Sequence, residues 1–121
     1  MNPIEPMPEK AWLVRIFLGE GDRYDKKPLY EVIVKRAKEL GLAGATVLRG
    51  SMGFGAHSRL HTARVLRLSE DLPMVIEIVD EKEKIDRLLA EADDLLAGGL
   101  VTLEQVTVVR YRGHAEKPVD D

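Results

Sequence analysis

Arg110 and Arg112 stand on either side of Tyr111, in a run that begins Val108-Val109 and reads as a strand. Alternate residues of a strand face the same way, so the two guanidinium groups would be presented side by side. Two planar forks in that arrangement suit a phosphate or a carboxylate. They equally suit an exposed pair that neutralises acidic residues of the same or a neighbouring chain. Gly98-Gly99 is a second anion candidate, because glycine lets backbone N–H groups approach a phosphate closely; the same pair also reads as a helix stop. The third is the stretch from Arg49 to Ser69, which holds no acidic residue. It carries Gly50, Gly53 and Gly55 together with Arg49, Arg59, Arg64 and Arg67. Arg49 and Arg64 lie toward its two ends, where they would reach a ligand bound at its base. Phe54, with His57, Arg59, His61 and Arg67, combines aromatic, imidazole and guanidinium groups, a composition typical of protein-contact surfaces.

Other chemistry finds less support. His57 and His61 are four apart, the spacing of a two-imidazole metal site on a helix, but the glycines before them disfavour a helix and no third ligand follows nearby. No metal is therefore expected. Ser51, Ser58 and Ser69 lack a nucleophile context and no carboxylate pair suggests acid–base work, so no enzymatic activity is expected. The chain has no cysteine, which removes disulfides, thiolate ligands and thiol nucleophiles.

The elements that must hold these groups follow from patterning. At 121 residues and 45% hydrophobic, the chain suffices for one domain with a real core. The expected division is a lead-in over 1–10, one domain over 11–112 and a tail over 113–121. The net charge of −3 argues against generic nucleic-acid binding. Nothing reaches membrane-spanning length and the N-terminus lacks the marks of a signal peptide, so a cytoplasmic location is expected, with no insertion into a membrane. Residues 11–18 read as a buried strand, and 28–40 as a helix opened by Pro28 and stopped by Gly41. Strands follow at 45–48 and 72–79, separated by the glycine-basic stretch. A second helix, with Asp80 and Glu83 as a capping pair, carries Ile85, Leu88, Leu89, Ala92, Leu95 and Leu96 on one face and stops at Gly98-Gly99. The last strand is expected in two pieces, 100–103 and 106–112, broken around Glu104-Gln105. The order is β-α-β-β-α-β: an α+β, ferredoxin-like sandwich with an antiparallel sheet and two helices on one face. The other face of such a sheet stays apolar unless something packs on it.

Linked motifs then carry a resemblance. Gly44-Ala45-Thr46-Val47-Leu48-Arg49-Gly50, Gly53-Phe54-Gly55, Leu68-Ser69-Glu70-Asp71-Leu72-Pro73, Ile76-Glu77-Ile78-Val79-Asp80 and Gly99-Leu100-Val101-Thr102-Leu103-Glu104 occur in one order over residues 11–112. This pattern resembles a bacterial and archaeal family known as domain of unknown function 190, distantly similar to the P-II nitrogen regulatory proteins. The resemblance implies a homotrimeric signalling protein. It implies an adenine nucleotide, or another small anionic ligand, bound in clefts between subunits at Arg49, Gly50, Arg64, Gly98, Gly99, Arg110 and Arg112. It also implies a long T-loop, residues 50–67, that contacts a target protein such as a membrane transporter or channel. P-II proteins have a longer, lysine-containing glycine turn where this chain has Gly98-Gly99; the shorter turn suits a monophosphate, a cyclic nucleotide or a different small anion. Two other functions remain open: a protein-interaction module that needs no ligand, or a metal-binding or hydrolytic member of the trimeric ferredoxin-like proteins.

Overall fold

The computed structural model describes residues 8–55, 61–62 and 71–112, with the backbone alone at 61–62. Its elements are β1 (Lys10–Gly19), β2 (Arg23–Tyr24), β3 (Lys27–Pro28), α1 (Leu29–Glu39), β4 (Thr46–Arg49), β5 (Met52–Gly53), β6 (His61–Thr62), β7 (Pro73–Asp80), α2 (Lys82–Glu91), a 3-10 turn (Asp93–Leu95) and β8 (Leu100–Thr107). Four strands make the main sheet in the order β4-β7-β1-β8. Every neighbouring pair is antiparallel, which is the ferredoxin-like sandwich expected from the element order.

β7 lies between β4 and β1 and alternates strictly along its length: Met74, Ile76, Ile78 and Asp80 are buried, and the residues between them half-buried. Val14, Ile16 and Leu18 of β1 join them under the helices. α1 contributes Leu29, Ile33 and Ala37, four residues apart and so on one stripe. α2 and the turn after it contribute Ile85, Leu88, Ala92 and Leu95. Each fully buried Ile or Leu in this layer stabilises the fold by about 1.5–3 kcal/mol relative to exposure.

Helix ends account for several local details. Gly41, at φ +85°, lets the chain turn back after α1: its N–H donates to Lys38 O and that of Leu42 to Ala37 O, at 3.1 Å each. This is a Schellman closure, and Leu42 then packs against the core. Across the helix layer Arg36 Nη1 donates to Glu91 O at 2.8 Å, satisfying a carbonyl at the end of α2.

Four expectations are corrected. Asp80 does not cap α2: the helix starts after Glu81 with no side-chain cap. Asp80 is instead buried and ties two connections together, Oδ2 accepting from Ala43 N–H (2.8 Å) and Oδ1 from Glu81 N–H (2.7 Å). The helical stretch does not run unbroken to Gly98, because α2 ends at Glu91 and a 3-10 turn follows. β8 is continuous through Glu104-Gln105 and ends at Thr107, so Arg110 and Arg112 are not on a strand. Among the described residues β8 pairs with β1 alone, whose first residue Lys10 is already opposite Thr107, and one further backbone bond follows, from the Val108 N–H to Glu9 O. The polar stretch after β1 also contains the hairpin of β2 and β3, turned by Asp25 and Lys26 at φ 51° and 69°. Those are the signs of a type I′ turn, made here without glycine.

Candidate functional site

The end of the sheet at Gly19 gathers several of the expected site residues. Arg49 is in register with Met74 on one side of β7, and Leu18 is opposite Met74 on the other. Phe17 is opposite Leu100. Consequently the end of β1, both roots of the stretch between β4 and β7, and the Gly98-Gly99 turn lie at the same edge of the molecule. A groove of about 590 Å³ opens there, lined by Gly19, Asp22, Phe54, Asp71, Gly98 and Gly99 among others.

Backbone geometry shapes its walls. A Cβ on Gly99 would lie 3.0 Å from Phe17 O and 3.3 Å from Leu18 Cδ2, whereas one on Gly98 would meet nothing within 4 Å. Gly99 is thus a close approach of turn to strand, and Gly98 is the exposed member that faces open space. Gly50 donates its N–H to Pro73 O at 2.8 Å, closing the two roots on each other. A Cβ on Gly53 would lie 2.7 Å from Pro73 Cγ, so the following residues also press on β7. Phe54 is 72% exposed and Met52 58%, two apolar side chains at the surface.

The electrostatics differ from expectation in one respect. Arg49 is not a free cation: its Nη2 lies 2.6 Å from Glu20 Oε2. Among the described residues the groove lining bears two carboxylates, Asp22 and Asp71, and no cation. Both carboxylates brace the turn after β1, Asp22 Oδ2 accepting from Gly19 N–H at 3.0 Å and Asp71 Oδ1 from Gly21 N–H at 3.2 Å.

Arg110 and Arg112 are at the opposite end. β8 separates them from Gly99 by eight residues, roughly 26 Å of extended chain. Both are exposed and neither has an ion-pair partner among the described residues. One chain therefore brings Arg49, Gly50, Phe54, Gly98 and Gly99 together and leaves Arg110 and Arg112 apart. His61 pairs by its backbone with Gly53 in the small β5/β6 ladder. His57, Arg59, Arg64 and Arg67 lie outside the described residues. Among the described residues no group of three or more acidic or histidine side chains is placed to hold a metal ion, and no helix is long and apolar enough to cross a membrane.

Residue-type reasoning passed over Glu20, Asp22 and Asp71, which organise this end. The available signal was the pair of acids Glu20 and Asp22 in a short polar stretch directly after a buried strand.

A family profile described as DUF190, uncharacterized ACR, matches residues 11–108. The chain is 43% identical over 100 residues to a UPF0166 protein of Aquifex aeolicus, covering 83% of this chain and 94% of that one. It is 35% identical over 105 residues to a UPF0166 protein of Methanocaldococcus jannaschii, covering 86% and 94%. In three dimensions it is similar to CPII, a nitrogen regulatory PII-like protein from Thiomonas intermedia whose structure holds ADP, AMP and bicarbonate. The TM-score is 0.64 at 17% identity, over 84% of this chain and 90% of that chain. A PII-like protein of Thermus thermophilus gives 0.62 at 22%, over 83% and 90%. At these identities the likeness establishes a shared fold. With a PII-like sandwich in three dimensions and a profile that spans nearly all of it, the chain belongs to the DUF190 family.

Proposed function

We propose that the protein is a PII-like regulator that binds a small anionic ligand, an adenine nucleotide, in clefts between the subunits of a homotrimer, and that it contacts a target protein through residues 50–67. The observation that carries this reading is the convergence on one groove of the Gly98-Gly99 turn, of Phe54 and Gly55, and of Asp71 and Pro73 where the chain returns to the sheet. A molecule bound there touches the segment that would signal its presence. The groove's described lining supplies no positive charge, and Arg110 and Arg112 sit a strand length away. In the proposed homotrimer the arginines of one chain would meet the groove of the next, so the reading is of a site shared between chains. CPII, which shares the fold, is a complex with ADP and AMP, and this supports nucleotide as the ligand class.

Calorimetric titration of the intact assembly with ATP, ADP, AMP and cyclic AMP tests the reading. One nucleotide is expected to bind once per chain. Replacing both Arg110 and Arg112 by Ala should weaken it at least about tenfold, since hydrogen bonds to charged groups contribute about 1.5–3 kcal/mol. An assembled protein that binds none of the four would end the proposal. The exposure of Phe54 and Met52 favours a second reading, an interaction module that holds its target without ligand. Recovery of one target equally well with and without nucleotide would favour it.

A further inference from the structure

The groove at Gly98 combines apolar walls with negative charge. Phe17, Pro73 and Leu100 line it together with the carboxylates Asp22 and Asp71, and its described lining holds no cation. A backbone bond orients each carboxylate: Asp22 Oδ2 accepts from Gly19 N–H at 3.0 Å and Asp71 Oδ1 from Gly21 N–H at 3.2 Å. An ionised carboxylate offers about four acceptor sites, so these bonds leave capacity for a guanidinium. Two carboxylates on an apolar wall repel an approaching anion and attract a cation, and the attraction is stronger there than in open water.

The segment after β8 carries the complementary groups. Arg110 and Arg112 are exposed and have no ion-pair partner among the described residues. No acidic residue occurs between positions 105 and 115, so sequence neighbours do not neutralise them. Val109 beside them is 94% exposed, an apolar side chain at the surface. An apolar residue followed by two guanidinium groups matches an apolar groove with two carboxylates. Groove and segment do not meet within one chain, because β8 is paired with β1 along its whole length and holds its own two ends roughly 26 Å apart.

We propose that Asp22 and Asp71 are the counter-ions of Arg110 and Arg112 from a second copy of the chain, so that the groove seats residues 109–112 of its neighbour. The arrival of a neighbour's arginines at the groove rests on the function proposed above; their pairing with these two carboxylates goes beyond it and needs no ligand. The paired charges fix how one copy sits on the next.

The absence of cysteine from the chain makes the contact directly testable in the full-length assembly without nucleotide. Gly98→Cys and Val109→Cys place thiols where a Cβ meets nothing within 4 Å and where the side chain is almost fully exposed. A short bismaleimide, whose reach is far less than the length of β8, should join chains of the double variant to one another, and should leave each single variant as separate chains in a denaturing gel. Adding Asp22→Asn and Asp71→Asn, which keep an acceptor for the Gly19 and Gly21 N–H groups, should slow this joining at least about threefold, as should raising the salt from 0.05 to about 1 M. An assembly that sediments as an oligomer but does not cross-link overturns the docking and leaves the homotrimer standing. A protein that sediments as a monomer overturns both. Cross-linking at the same rate with and without the two Asn substitutions overturns the carboxylate pairing, and nucleotide titration still decides the ligand. If the Asn variant loses its fold, the salt dependence decides the pairing, and a rate unmoved by salt overturns it.

Discussion

Gly98 and Gly99 are adjacent and chemically identical, yet their surroundings separate their roles. Gly99 is pressed against the backbone oxygen of Phe17 and the side chain of Leu18, so a methyl group there must displace main chain. Gly98 has open space where its Cβ would be. Gly99→Ala is expected to cost about 1–3 kcal/mol, the range for overpacking, and Gly98→Ala less than about 0.5 kcal/mol, as for an unconstrained surface site. Urea denaturation of the two variants measures the contrast. Equal losses would mean that the turn's effect on stability comes from backbone conformation and not from contact with β1. The same comparison serves the proposed ligand site, because Gly98→Ala adds a methyl group to the groove lining where nothing lies within 4 Å of it.

Asp80 shows how one side chain can hold several elements in place. It ends β7 on the buried face, and its two oxygens accept the N–H groups of Ala43, in the connection from α1 to β4, and of Glu81, at the start of α2. Both helices are thereby tied to one strand end. Asp80→Ala leaves two backbone donors without their acceptor and is expected to destabilise the protein by about 2–4 kcal/mol, a hydrogen bond to a charged group being worth about 1.5–3 kcal/mol. Asp80→Asn keeps one acceptor oxygen and should lose roughly half as much, read from the same denaturation midpoints. Next to it, the Glu81 carboxyl is pushed above its ordinary value of 4.5, first by desolvation and then by its hydrogen bond with Glu83. A raised carboxyl value in the folded state means that Glu81 favours folding most at acid pH and that this contribution is lost as pH rises through the range above 4.5.

The face of the sheet away from the helices bears on assembly at the scale of the whole molecule. Leu48, Val75, Phe17 and Leu100 form one apolar row across all four strands. Thr46, Glu77, Arg15 and Thr102 form the next. In its centre Arg15 reaches Glu77 and Glu104 at 2.9 Å each, and the hydrogen bond with Glu77 is the chief reason its guanidinium is held above its ordinary value. Leu48 and Leu100 are 48% and 59% exposed, an arrangement suited to packing against copies of the same face. If the proposed homotrimer packs through this face, Val75→Asp, which sets a carboxylate in the apolar row, is expected to leave the protein monomeric at micromolar concentration, with the secondary structure kept. Analytical ultracentrifugation checks this; a variant that sediments like the unaltered protein would place the subunit interface elsewhere. Loss of nucleotide binding in the monomer would follow if the site is shared between chains.

Much of the architecture is local in origin and was therefore legible in the chain. The alternation in β7, the four-residue spacing in α1, and Gly41 just beyond that helix each reflect interactions between residues close in sequence, and they led to the right element order and sheet type. Three features were not legible, because each depends on residues distant in sequence or lacks the usual residue signal. β8 stops at Thr107 because its partner β1 starts at Lys10, so the strand geometry that would align Arg110 with Arg112 has no ladder to support it. The turn at Asp25 and Lys26 carries none of the glycine or asparagine that usually marks positive φ. Glu20 and Arg49 meet only because β1 and β4 end at the same edge of the sheet, with β7 between them. The order of residues offered the groups that are candidates for binding an anion. The folded chain decided which of them are neighbours, since charges act through space, and the sheet sets distances that sequence spacing does not.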